Sequence, residues 1–152
     1  MSVTNQFWAY LKPKALSVEG VVYSMLSDGN RWERVLGDSR SENVYPGFFC
    51  LRPKYKIVNN GADQVLGWFD VTFFVFCHCK RPGDYAEEDA AFDKAEEIAA
   101  DLYKLLEGDD GKQILFDEDK ALSMEPVSWL ISDAVYGYEV KLRFALPVNP
   151  IL

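Results

Sequence analysis

The sequence predicts an α+β domain: a mostly antiparallel sheet of four to five strands, with an N-terminal helix and one long helix packed on one face. Three observations carry this. Residues 48–58 and 65–80 are rich in β-branched and aromatic side chains and flank the turn cluster Asn59-Asn60-Gly61-Ala62-Asp63, whose Asn-Gly step favours positive φ and so a hairpin. Downstream of Asp84, apolar side chains recur at spacings of three and four, the signature of an amphipathic helix. Residues 135–146 alternate: Tyr136, Tyr138, Val140, Leu142, Phe144 and Leu146 on one side, Glu139, Lys141 and Arg143 on the other. Strand runs joined by hairpins, with one long helix between them, build an antiparallel sheet.

The elements follow in chain order. Residues 4–27 place Phe7, Trp8, Leu11, Ala15, Val18, Val22 and Met25 at helical spacing, with Thr4 as cap and Asp28-Gly29 as stop. Pro13 and Gly20 interrupt that pattern, so the helix is expected to kink or to split in two. Residues 31–36 make a short strand, and 37–43 a polar loop with no apolar periodicity, expected to be mobile. Pro53 lacks a donor, which places its strand at an edge or gives it a bulge. The second helix opens on Asp84 and Glu87, spaced as a capping box. It buries Phe92, Ala95, Ile98, Ala99, Leu102, Leu105 and Leu106, and stops at Gly108. Its other face, with Glu88, Asp89, Asp93, Glu96, Glu97 and Asp101, reads as solvated surface and not as a metal or acid/base site. An acidic linker at 109–119 leads to two closing strands, 122–131 and 135–146, joined by a tight turn at Ser132-Asp133-Ala134.

Composition bounds the function. The chain has 152 residues, of which 49% are apolar and 14% aromatic, enough for one packed domain spanning 1–152 and too much for a disordered chain. With 16 Lys and Arg against 24 Asp and Glu the net charge is −8, which argues against nucleic acid or anionic lipid as partners. The first residues show no basic region followed by an apolar stretch, so neither a signal peptide nor a spanning helix is expected.

Candidate chemistry is sparse. Cys77-His78-Cys79 holds the one histidine of the chain, but on a strand the two thiols face one side and the imidazole the other, and no second Cys or His pair completes four ligands. Free buried thiols in a reducing compartment are expected, with no metal and no cofactor. A His78-based nucleophile lacks a glycine-framed serine, the glycines are too scattered to cradle phosphate, and the 109–119 acids lack the spacing of a calcium loop. No enzyme is expected. Arg52, Lys54 and Lys56 form a basic stripe suited to a surface or to the acidic helix of a neighbour.

The anomaly is the strand at 65–80. Val65, Phe69, Val71, Phe73, Val75 and Cys77 make the apolar face that helices can cover. The opposite positions, which should be polar, hold Leu66, Trp68, Phe74 and Phe76 beside Asp70 and Thr72. With both faces apolar and only two helices to spend, Trp68, Phe74 and Phe76 read as a partner interface. The competing expectation is that the N-terminal segment folds over that face.

The order of elements, together with Met124-Glu125-Pro126-Val127 and the run Val135-Tyr136-Gly137-Tyr138-Glu139-Val140-Lys141-Leu142, resembles the tail-terminator and tail-completion proteins of long-tailed bacteriophages and prophages. In that family's final hairpin a Tyr-Gly-aromatic step leads into an alternating strand. The resemblance implies a non-enzymatic protein, assembled in the host cytoplasm and carried in the virion. It forms a homo-oligomer, a hexameric ring that caps the tail tube and meets other tail or head-tail connector proteins. The alternative from another class is a binding module whose aromatic sheet face holds a protein or an apolar ligand.

Overall fold

The computed structural model describes residues 1–27, 44–59, 61, 64–130 and 134–149. It is an α+β fold. Its elements are α1 (Val3–Ser17), β1 (Tyr23–Ser27), β2 (Gly47–Leu51), β3 (Lys54–Asn59), β4 (Val65–His78), α2 (Tyr85–Asp109), β5 (Leu115–Phe116), β6 (Ser123–Leu130) and β7 (Ala134–Pro147). The strand expected at 31–36 and the loops at 37–43 and 131–133 lie outside the described residues.

Two strands of 14 residues, β4 and β7, pair antiparallel along their whole length, from Leu66 opposite Pro147 to His78 opposite Val135. Each is flanked on its outer side by two shorter strands set end to end. β3 covers β4 over Val65–Asp70 and β2 covers it over Phe73–Phe76; β6 covers β7 up to Lys141 and β5 covers Phe144 and Ala145. β1 pairs parallel to β2 and makes the sheet mixed. The described sheet therefore has seven strands, more than the four to five expected. The excess has three sources. Pro53 has no N–H for the ladder, so the run 48–58 breaks at Arg52-Pro53 into β2 and β3. The acidic linker hides the two-residue β5. The third is β1, which falls within the stretch read as one helix.

The first helix stops well before residue 27. Ser2, not Thr4, caps it, its Oγ accepting from the Asn5 N–H at 3.0 Å. Val3, Phe7, Leu11 and Ala15, four apart, are buried. The helix tolerates Pro13 but ends at Ser17; Val18 is extended and Gly20 takes φ +95°, a left-handed value that suits glycine. Val18, Val22 and Met25 keep a helical spacing by coincidence: Val18 joins the helix-side core, while Met25 faces the opposite side of the sheet.

In α2 the Asp84 carboxylate accepts from the N–H groups of Ala86 and Glu87, as expected of the cap, but the reciprocal half of the expected capping box is missing: the Asp84 N–H donates to the Arg81 carbonyl and Glu87 faces Arg81. Ala91, Ala95 and Ala99 let the helix sit close to β4 and β7, with Ile98, Leu102 and Leu106 filling the contact. Leu105, expected in the core, is 39% exposed. The helix also runs through Gly108 to Asp109, because the left-handed turn is taken later, by Gly111 at φ +80°. Asp109 is tied to α1: Tyr10 Oη donates to Oδ2 at 2.7 Å, and Lys14 Nζ reaches the same oxygen at 2.8 Å. The Lys14 hydrogen bond, with help from Tyr10, holds the Asp109 carboxyl below its usual range, while burial and the Asp109 charge push the Tyr10 phenol up.

Both helices pack on one face of the sheet, as expected. Phe7 stacks on Phe69 at 4.9 Å, Phe48 meets Phe73 at 4.7 Å, and Phe92 stands edge-on to Tyr136 at 5.2 Å. Tyr136 donates to Glu88 Oε1 at 2.7 Å, and that bond pushes its phenol up to about 12. Gly137 belongs to this seam. A Cβ there would overlap the Val75 carbonyl, so the Tyr-Gly-Tyr step lets β7 lie directly against β4.

Candidate partner interface on the second face of the sheet

The face away from the helices is built from one side chain in two. Register places Leu66, Trp68, Asp70, Thr72, Phe74 and Phe76 of β4 beside Pro147, Ala145, Arg143, Lys141, Glu139 and Gly137 of β7. β3 adds Lys54 and Lys56, and β2 adds Phe49. This face divides into two halves that differ in what lies over them.

In the first half, Phe76 is 1% exposed and packs on Phe49 with ring centroids 5.7 Å apart. Met25, Val44, Tyr45 and Val135 complete a second, smaller core, and Tyr23, Leu51, Phe74 and Val127 close its margin. Phe76 is thus not a surface residue of this chain, and its place as a contact residue is corrected accordingly: it supports the face from below. Val44 and Tyr45 share this core with Met25 and Tyr23 of β1, so the N-terminal segment contributes its last strand to it, while α1 lies on the opposite face. Phe74 lies over Phe76 at 5.7 Å and stays half-buried.

In the second half, Leu66 and Ala145 are buried, while Trp68 and Thr72 are half-buried and Asp70 is exposed. Trp68 is half-buried, with the Arg143 guanidinium 4.9 Å above its ring. Arg143 Nε also reaches Asp70 Oδ1 at 3.4 Å, and Lys141 reaches Glu139 at 3.3 Å. Lys54 and Lys56 are exposed and, among the described residues, in no ion pair. Of the three residues singled out from the sequence, the structure brings Phe74 and Phe76 together. Trp68 lies six positions away, roughly 20 Å along the strand. The residue that reasoning from sequence missed is Arg143, assigned simply to the outward face of the last strand; only the register, Asp70 opposite Arg143, shows that it covers the tryptophan.

The cysteine run separates as strand geometry requires. Cys77 and Cys79 are buried on the helix side, while His78 stacks against Tyr45 on the other, centroids 6.3 Å apart. A groove of about 270 Å³ runs between this end of β4 and the first turns of α2, lined by Cys77, Cys79, Glu87 and Lys94 among others. Burial pushes the Cys77 thiol up to about 11 against the pull of Lys94, so the sulfur stays protonated and is a poor nucleophile at neutral pH. Cys50 is buried and pushed up likewise. Among the described residues no three His, Cys, Asp or Glu side chains converge as metal ligands, and no helix is long and apolar enough to cross a membrane. No protein-family model matches the chain, and no curated protein matches it in sequence.

Proposed function

We propose that this chain is a non-enzymatic structural subunit that assembles with copies of itself, in a ring that caps or joins a phage tail tube. The observation that carries self-assembly is the second half of this sheet face, where the described residues leave an aromatic side chain in mid-sheet, Trp68, half-buried and rimmed by Lys54, Lys56, Asp70 and Arg143. An apolar anchor inside a polar rim is the usual composition of a protein contact. Trp68 and Phe74 are the contact residues on this reading, and Phe76 backs Phe74 from the small core beside it.

The tail role rests on the resemblance of the element order and of the hairpin carrying Tyr136-Gly137-Tyr138. It brings with it the host cytoplasm as the place of assembly, the virion as destination, and tail or head-tail connector proteins as neighbours. A module for a small apolar ligand would draw on the same aromatic face. With Phe76 sealed, only the half-buried Trp68 and Phe74 remain to it, separated along the strand, which is too little to enclose a ligand.

Light scattering over a concentration series, with electron microscopy of the largest species, tests the proposal. Closed rings of uniform size are expected, alone or with a tail-tube protein as template. A chain that stays monomeric at every concentration, template included, overturns it.

A further inference from the structure

Resting on the self-assembly reading, we infer that the subunit contact is head to tail: the Lys54/Lys56 row on the sheet of one copy receives the acidic outer stripe of α2 from the next. Two like-charged rows on this chain lack ion-pair partners among the described residues. On α2, Asp89, Asp93, Glu97 and Asp101 follow one another at four-residue intervals, all exposed, none in an ion pair among the described residues. Like charges at that spacing repel along a helix, so the stripe weakens the element that carries it unless cations meet it. On β3, Lys54 and Lys56 are equally exposed and in no ion pair among the described residues, and both project from the second face of the sheet, flanking Trp68 through the pairing of Lys56 with Trp68.

The spacings agree. Residues four apart on a helix advance ~6 Å, and residues two apart on a strand ~6.7 Å, so two lysines can meet two successive acids of the stripe. The geometry also dictates that the contact is between copies. α2 packs on the helix side of the sheet with its acidic stripe turned outward, whereas the two lysines point away from the opposite side. One copy cannot bring its own rows together. A contact joining two different surfaces repeats from copy to copy and closes into a ring where the rotation allows. Trp68 supplies the apolar anchor; the charges set partner and register and make the association sensitive to salt.

Two charge-reversed proteins test this: Lys54→Glu/Lys56→Glu, and Asp93→Lys/Glu97→Lys. All four positions are exposed, so both should keep the circular dichroism spectrum and melting temperature of the parent. Each alone should sediment as monomer at low salt, at concentrations where the parent assembles. Mixed one to one, they should assemble again in alternation, because the reversed lysine row of one protein then meets the reversed stripe of the other, and the unreversed lysines meet the unreversed acids. The neutral variant Lys54→Gln/Lys56→Gln should fall between the parent and the reversed protein. Assembly of either reversed protein to the parent's extent, or failure of the folded mixture to recover, overturns the head-to-tail contact and leaves self-assembly standing. A parent that is monomeric throughout overturns both.

Discussion

The two faces of β4 are built from the same strand and almost the same kinds of residue, yet they are finished differently. On the helix side, Phe69, Val71, Phe73 and Val75 are all but inaccessible, sealed by α1 and α2. On the other side, Phe76 is sealed just as completely in a small core with Met25, Val44, Tyr45, Phe49 and Val135, while farther along the strand Trp68 and Thr72 stay half-buried and Asp70 exposed, with Arg143 over the Trp68 ring. The difference is one of reach. A helix covers a strip the length of the sheet, whereas a short chain segment covers one end of it. An apolar position on a strand therefore says that burial is wanted and not what will supply it.

The sharpest way to break this comparison is to remove one ring from each face. Phe69→Ala opens a cavity among Phe7, Tyr55 and Phe144 that two rigid helices cannot close, and should cost ~3–5 kcal/mol, enough to unfold much of the population at 37 °C. Phe76→Ala should cost less, about 3 kcal/mol, because the Val44 and Tyr45 cover can settle into the space. Chemical denaturation of the two variants measures the gap, and equal losses would mean that the small core is as stiff as the large one.

A third test concerns how the helix layer holds itself together. Asp109→Asn removes the charge that Lys14 and Tyr10 share and should lower stability by ~1–2 kcal/mol at neutral pH. Because the folded-state pKa of Asp109 is depressed, its contribution is fully present above the ordinary carboxylate pKa, near ~4, and is lost as pH falls through the lower folded value. Melting curves of parent and variant should thus converge below that pH. A constant offset down to pH 2 would show that the charge is not what matters.

The smallest effect is expected on the half around Trp68. Trp68→Ala loses a half-buried ring and a cation–π contact with Arg143, and the isolated chain should lose no more than about 1 kcal/mol. Its assembly should suffer far more than its fold. A fall in melting temperature as large as that of Phe76→Ala, with assembly intact, would move Trp68 into the core.

What could be seen in the sequence was whatever a local period encodes. The alternation of β7, the stripe of α2 with its Asp84 cap, and the two-faced character of β4 all depend on neighbours a few residues away. What could not be seen depended on distance or on a coincidence of spacing. Val18, Val22 and Met25 imitate a helical stripe, yet on either side of Gly20 Val18 and Met25 serve two different cores and Val22 is exposed. β5 is too short to show a period. The Tyr10–Lys14–Asp109 tie joins residues far apart in the chain, and the cover over Phe76 comes from a segment with no pattern of its own. For the contact surface, the apolar residues were legible, but the division of that face into a sealed and a partly exposed half was not.

The central position of β7 bears on the order in which the protein is made. β4 leaves the ribosome early, with two apolar faces and one long edge waiting for a strand that follows only after α2, β5 and β6. Until then the nascent chain carries an open ladder of the kind that other chains can join, and pairing so distant in sequence is slow to form. Lys54 and Lys56 stand on the strand guarding the opposite edge of β4, where charge discourages such mispairing. Synthesis that stalls before β7 would release an aggregation-prone fragment, so the closing strand acts as the quality check on the whole chain.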